Sequence, residues 1–180
     1  ADVGFFQAGQ FEKKGYFLFV GQLIDYKHPE LALKACRKMN RRLVIAGDGP
    51  MKERLAELGG DGVSFAGRVV GENLRRLYAE ADALIFPGIE DFGIVPVEAQ
   101  AAGTPVIALA KGGALETVTP DTGVFFPEPE VDSLCSALEE FNARTFDSAV
   151  LKHHAESFSI PVFHRNMKEF FVRTVPGFGN

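Results

Sequence analysis

Short apolar runs, each followed by a segment of helical spacing, recur six times and leave this chain few folds to choose from. Tyr16 to Gly21 (YFLFVG), Arg42 to Gly47 (RLVIAG), Val63 to Gly67 (VSFAG), Ala83 to Gly88 (ALIFPG), Thr104 to Ala110 (TPVIALA) and Thr122 to Pro127 (TGVFFP) read as strands. Apolar runs of this length without alternation suit strands buried on both faces. Between them, His28 to Met39, Pro50 to Gly59, Gly71 to Ala81, Val95 to Ala102, a short turn of helix in GALETV, and Glu130 to Asn142 carry helical spacing. Proline opens and glycine closes the second of these, as helix ends prefer. Buried strands alternating with helices require a parallel sheet covered on both sides. Right-handed crossovers then give an α/β fold, a Rossmann-like doubly wound parallel sheet. The tail has no strand. Leu151 to Ser157 and Pro161 to Val172 read as helices broken at SFSIP, and Phe163, Met167, Phe170 and Phe171 form an apolar stripe that expects a docking partner in this domain or in another part of the protein.

The length of 180 residues suits one domain, and a hydrophobic share of 46% supplies its core. A net charge of −5 argues against a general nucleic-acid binder, because phosphate backbones need basic faces. Cys36 and Cys135 lie in helical segments without metal spacing and read as reduced core thiols of a cytoplasmic protein. No apolar run reaches the ~18 residues a membrane span needs, and no signal peptide is visible. The opening ADVGFFQAGQFEKKG reads as the middle of a longer chain. His28, His153, His154 and His164 lack a second ligand type at metal-binding spacing, so no metal is expected. AGDGP offers Gly47 and Gly49, but Lys52 stands near where a dinucleotide fingerprint needs its third glycine, and the strand is the second rather than the first. Neither a Walker loop nor a G-x-S-x-G elbow is present.

Open α/β sheets bind ligands outside the carboxyl ends of their strands. Attention therefore falls on the loops at 22–28, 47–50, 67–71, 87–95 and 111–114. In GIEDFGIVPVEAQAAGTPVIA, Glu90 and Glu98 bracket a Phe92-Gly93 turn and a helix start, with seven residues between them. The amides of Phe92, Gly93, Ile94 and Val95 form an anion site at the helix N-terminus. Carboxylates would not pair with a phosphate there; they suit hydroxyl groups to either side of it. The pattern suggests a sugar–phosphate–sugar ligand, set against the plainer reading that Glu90 caps a turn and Glu98 is solvated. Lys27 is placed to reach a diphosphate as a point charge, and Arg68 to flank a base or phosphate. Each is also compatible with a solvated surface cation.

The stretch EDFGIVPVEAQAAGTPVIALAKGGALETV, from Glu90 to Val118, closely resembles the signature of family 4 (group 1) glycosyltransferases, which have the GT-B fold of two Rossmann-like halves. FVGQLIDYKHPELALKA, LVIAGDGP, VSFAGRV and TGVFFPEPEVDSLCSAL resemble the family's other landmarks in the same order. The resemblance implies the C-terminal half, with residues 1–15 as an inter-domain linker remnant. Residues 16–157 would form the nucleotide-sugar-binding domain, and 158–180 a C-terminal crossover helix and tail. It implies that Glu90 contacts the transferred sugar and Glu98 the ribose. The amides of Phe92 to Val95 would contact sugar and phosphate, Lys27 the phosphate, and Gln22 and Arg68 would belong to the donor-binding set. Glu90 and Lys27 would be the catalytic pair. Transfer would retain the anomeric configuration, with no cofactor and no metal in the chemistry. Where the family places arginine, this chain has Gln22, which cannot supply a guanidinium charge. The expected donor is GDP-mannose or a UDP-sugar. The acceptor, a glycan or lipid-linked glycan, would be held by an N-terminal domain, so the full protein would touch the inner membrane face. The alternatives are a non-catalytic nucleotide-sugar-binding module and another GT-B enzyme such as a nucleotide-sugar epimerase.

Overall fold

The computed structural model describes residues 1–9 and 11–175. The six apolar runs form β1 (Phe17–Val20), β2 (Leu43–Ala46), β3 (Val63–Gly67), β4 (Ala83–Phe86), β5 (Val106–Leu109) and β6 (Gly123–Phe126). They lie in the order β3-β2-β1-β4-β5-β6, all parallel. The order reverses between β1 and β4, so this is the doubly wound sheet that the alternation of segments predicts.

The helices are α1 (Val3–Gln7), α2 (Pro29–Lys38), α3 (Lys52–Gly59), α4 (Gly71–Glu80), α5 (Ile94–Ala101), α6 (Ala114–Thr117), α7 (Val131–Asn142), α8 (Ser148–Glu156) and α9 (Ile160–Thr174). The two-residue period of each strand sends alternate side chains to opposite layers. Phe17 and Phe19 of β1, Ile45 of β2, Ile85 of β4 and Leu109 of β5 pack under α2, α3 and α7. Leu18, Ala46, Leu84 and Ala108 from the same strands pack on the other side with Tyr78 of α4, Val97 of α5 and Ala155 of α8. Small residues in α5, namely Ala99 and Ala101, let it lie close to the sheet and to α8.

Three local features depart from the sequence reading or extend it. First, β3 is not covered on both faces: Ser64 and Ala66 are exposed while Val63 and Phe65 are partly buried. It is the edge strand, and its alternating Ser and Ala positions offer little apolar area to a covering helix. Second, the segment expected as linker carries α1, whose Val3 and Phe6 are buried in the second core layer. The Asp2 side chain caps this helix by accepting from the Phe5 N–H at 3.2 Å. Third, the tail helices form with the expected break, but no residue of α9 is buried. Phe163, Phe170 and Phe171 of the apolar stripe are all exposed. Gln10 of the 1–15 segment and residues 176–180 of the 158–180 segment lie outside the described residues.

Candidate functional site

The carboxyl ends of β1 and β4 meet at the point where the strand order reverses, which opens a crevice for a ligand. The loop leaving β1 makes a 3₁₀ turn over Asp25–Lys27 and enters α2 through His28, which is left-handed at φ 50°. The loop leaving β4 runs through Gly88 to Glu90. Lys27 Nζ and Glu90 Oε1 pair across the crevice at 2.8 Å, with side-chain exposures of only 16% and 22%. A Cβ on Gly88 would lie 2.9 Å from Lys27 Cα, so the two loops can close this far only with glycine there. A half-buried pair of this kind holds both groups in place, yet each retains hydrogen-bonding capacity that the partner does not fill.

The turn that follows is supported from the neighbouring loop. Gly113, after β5, donates its N–H to the Glu90 carbonyl at 2.7 Å. A Cβ on Gly113 would collide with the Phe92 backbone. Gly93 then takes a left-handed conformation, φ 79°, and starts α5. No side chain caps α5, and Pro96 has no N–H to offer, so the helix's positive end faces the crevice with Ile94 and Val95 at its first positions. The Phe92 ring meets Phe158 edge-on at 5.9 Å, and Phe158 meets His154 at 5.4 Å. His154 Nε2 lies 3.2 Å from the Thr117 carbonyl. The end of α8 thus backs the turn from behind, a support carried by residues distant in sequence that no local pattern marks.

Glu98 sits one turn into α5. Its Oε2 accepts a hydrogen bond from the Tyr78 hydroxyl at 3.0 Å. Burial raises the Glu98 carboxyl above its ordinary range, and the Tyr78 bond only partly offsets that. The Tyr78 phenol is itself pushed far up, by burial first and then by the charges of Glu98 and Glu90. The two glutamates therefore flank one buried phenol, although they do not touch each other among the contacts described. Tyr78 was not among the expected site residues: LRRLYAEA reads as the apolar face of a helix, and nothing in it signals where the hydroxyl ends.

Gln22 and Arg68 do not join the Lys27–Glu90 pair. They share a neighbouring cleft of about 460 Å³ with Gly21, Gly47, Asp48 and Val69, over the carboxyl ends of β1, β2 and β3. Both are exposed, so the amide at position 22 faces solvent rather than the lysine. The glycines of AGDGP serve packing: a Cβ on Gly47 would strike the Gly21 carbonyl, and one on Gly49 would lie 2.6 Å from the Leu23 carbonyl. Among the described residues, no group of three or more His, Cys, Asp or Glu side chains is placed to hold a metal.

A sheet of this order, with a lysine–glutamate pair at its switch point and a glycine-started helix beside it, matches known proteins along most of its length. The family model for glycosyl transferases group 1 matches residues 3–160. The chain belongs to the group 1 glycosyl transferases. One relative, the GDP-mannose-dependent monoacylated alpha-(1-6)-phosphatidylinositol monomannoside mannosyltransferase of Corynebacterium glutamicum, is 39% identical over 135 residues, covering 66% of this chain and 35% of the relative. A D-inositol 3-phosphate glycosyltransferase of Mycobacteroides abscessus is 33% identical over 153 residues, covering 76% of this chain and 34% of the relative. Sucrose-phosphate synthase from Thermosynechococcus elongatus superposes with a TM-score of 0.75 at 27% identity, covering 89% of this chain and 45% of that one. This glycosyl transferase chain thus spans about a third of the length of those curated relatives and under half of the solved structure.

Proposed function

We propose that this chain is the donor-binding half of a retaining glycosyltransferase of family 4, taking a nucleotide-diphosphate sugar. The observation that carries the reading is the Lys27–Glu90 pair at the switch point, next to the uncapped start of α5. A diphosphate entering the crevice would meet the Lys27 ammonium and the amides of Phe92 to Val95. It would release Glu90 from the lysine to accept hydroxyls of the transferred sugar. Glu98, held by Tyr78 through one oxygen, keeps its other oxygen for ribose hydroxyls. As the glycosidic carbon–oxygen bond breaks, negative charge grows on the departing diphosphate. Lys27 and the α5 dipole stabilise that charge without a metal in the chemistry. Gln22 and Arg68 line the adjoining cleft and would meet the nucleoside end.

The relative named as GDP-mannose-dependent supports GDP-mannose as the donor, with UDP-sugars next. The acceptor would be a glycan or lipid-linked glycan held by an N-terminal half, so the working protein would be cytoplasmic and touch the inner membrane face. Among the described residues no helix is long and apolar enough to cross a membrane. In this reading residues 16–157 are the donor domain and 1–15 lead in from the N-terminal half. The exposed stripe of α9, within 158–180, docks back onto that half. Gln22 favours one second reading, a module that binds the donor and does not transfer, because a neutral amide contributes no charge to the leaving group.

Calorimetric titration of this chain with GDP, UDP, ADP, GDP-mannose and UDP-glucose tests the proposal. One nucleotide should bind clearly, and Lys27→Met should weaken it by roughly 1.5–3 kcal/mol, the range for a charge-assisted hydrogen bond. Absence of binding by every nucleotide would sink the donor-domain reading. Binding without transfer in the full-length protein, restored by Gln22→Arg, would favour the second reading.

A further inference from the structure

Tyr78 is fully buried, yet its hydroxyl goes to a carboxylate beside the crevice. A buried tyrosine hydroxyl needs a partner, and a backbone carbonyl serves well. Tyr16, in the same core layer, takes that solution: its hydroxyl donates to the Leu77 carbonyl at 2.9 Å. Tyr78 instead donates to Glu98 Oε2 at 3.0 Å. Among the described residues this is the one side-chain hydrogen bond that Glu98 makes, and no lysine or arginine lies beside it. A partly buried carboxylate without a cation is costly to keep, and packing alone would be met better by an apolar side chain at position 98.

The tyrosine is held by its ring and by its backbone. Phe6 of α1 packs edge-on to the ring at 5.6 Å. Thr104 Oγ1, just before β5, donates to the Tyr78 carbonyl at 2.6 Å. Lys13 Nζ donates to that same threonine oxygen at 2.7 Å, and since an ammonium only donates, the threonine proton is committed to Tyr78. The phenolic oxygen lies on the ring axis, so with ring and backbone fixed it is delivered to one place. Its bond to Oε2 orients the Glu98 carboxylate and leaves Oε1 open. A glutamate free to sample its rotamers would have to be ordered by the ligand, which weakens binding. A phenol also suits this task better than a cation. Lys27, which holds Glu90, would be drawn towards an arriving diphosphate, whereas the neutral Tyr78 hydroxyl would stay on Glu98 throughout.

We propose that Tyr78 is a positioning residue for the ribose of the donor. By fixing Glu98 Oε2 it aims Oε1 at the 2′- and 3′-hydroxyls, and so makes nucleotide affinity depend on those hydroxyls. The inference rests on the donor reading proposed above. Tyr78 itself touches no ligand atom.

The test is titration of the chain and its variants with GDP and 2′,3′-dideoxy-GDP, with the corresponding UDP pair alongside. The parent chain should bind the ribose form of one pair more tightly than its dideoxy form. Tyr78→Phe keeps the ring in the core and removes only the hydroxyl. It should weaken the ribose form roughly three- to tenfold, the worth of one ordinary hydrogen bond, and leave the dideoxy form unchanged. Tyr16→Phe removes a hydroxyl from the same core layer and should leave both affinities as they are. On a Glu98→Ala background, Tyr78→Phe should have no further effect on either form. An unchanged ribose form, equal weakening of both forms, or the same loss in Tyr16→Phe would overturn the inference and leave the donor reading in place. A parent chain that binds both forms of a pair equally would remove the ribose contact, and the inference with it. A parent chain that binds no member of either pair would bring down the donor reading and this inference together.

Discussion

Glu98, partly buried, and Glu80, buried, show how two carboxylates in one fold can be shifted in opposite directions. The Glu98 carboxyl is raised by burial. Its contribution to stability is therefore present below the unfolded value of about 4.3 and is lost as pH rises through the higher folded value. Glu98→Gln removes the charge that burial opposes and keeps an oxygen for Tyr78. It should raise the denaturation midpoint at neutral pH while weakening nucleotide binding, and the stability gain should vanish below about pH 4.3. Glu80 is buried too, but Arg76 and Lys14 bond to it at 2.6 and 2.9 Å and lower its carboxyl despite the desolvation. Its stabilisation is present above the unfolded value and disappears as pH falls through the folded one, so Glu80→Gln should destabilise at neutral pH and do nothing in strong acid. Paired thermal melts across pH would check both. The sequence placed Lys27 and Glu90 in loops at the carboxyl ends of β1 and β4, where the structure has them, but their pairing was not readable, because each side chain alone also suits a solvated surface position. Nor was the partner of Glu98, because a tyrosine on an apolar helix face does not announce its hydroxyl. His28 was legible as a helix start but not as a left-handed residue. That conformation costs a β-branched side chain more than histidine, so His28→Val should lower stability by about 1–2 kcal/mol while His28→Gly should not. Denaturant unfolding of the two variants decides it.

At the level of elements, the strands and the longer helices from β1 to α7 lie within a few residues of where the apolar periodicity puts them, since each is long enough to show its period, while the four-residue α6 is a single turn. α1 did not show itself. Its five residues, VGFFQ, are too short for a helical pattern, and only contact with α5 and α8 explains why they fold. Phe6 also packs edge-on to Tyr78 of α4 at 5.6 Å, in the same core layer. Phe6→Ala should cost about 3–5 kcal/mol, the range for a buried phenylalanine, and should loosen Tyr78 and therefore Glu98. A Phe6→Ala chain as stable as the parent would mean α1 is an ornament of the second core layer. The half-exposure of β3 was missed: VSFAG reads with the other runs as buried on both faces, although its Ser64 and Ala66 leave the outward side of an edge strand in solvent.

Across the whole molecule, the strand order brings residues 27 and 90 together, and neither sequence distance nor composition predicts that meeting. The order follows from right-handed crossovers on a sheet that starts at its middle. α9 extends the molecule without adding to its core. Because none of its residues is buried, changing Phe163, Phe170 and Phe171 together to serine should leave the melting temperature nearly unchanged. The same triple change should reduce self-association in sedimentation, as an exposed apolar face predicts. A large loss of stability would show that the stripe belongs to this domain's own fold.

The loops around the crevice touch backbone to backbone: Gly47 against the Gly21 carbonyl, Gly88 against Lys27, Gly113 against Phe92. They form a single rim, in which lengthening one loop would displace the next. Such a rim is open to exchange of side chains and closed to insertions. Under the donor reading proposed above, variation in the ligand should therefore arise by substitution at Gln22 or Arg68, and a grafted loop of different length should cost the whole face its shape.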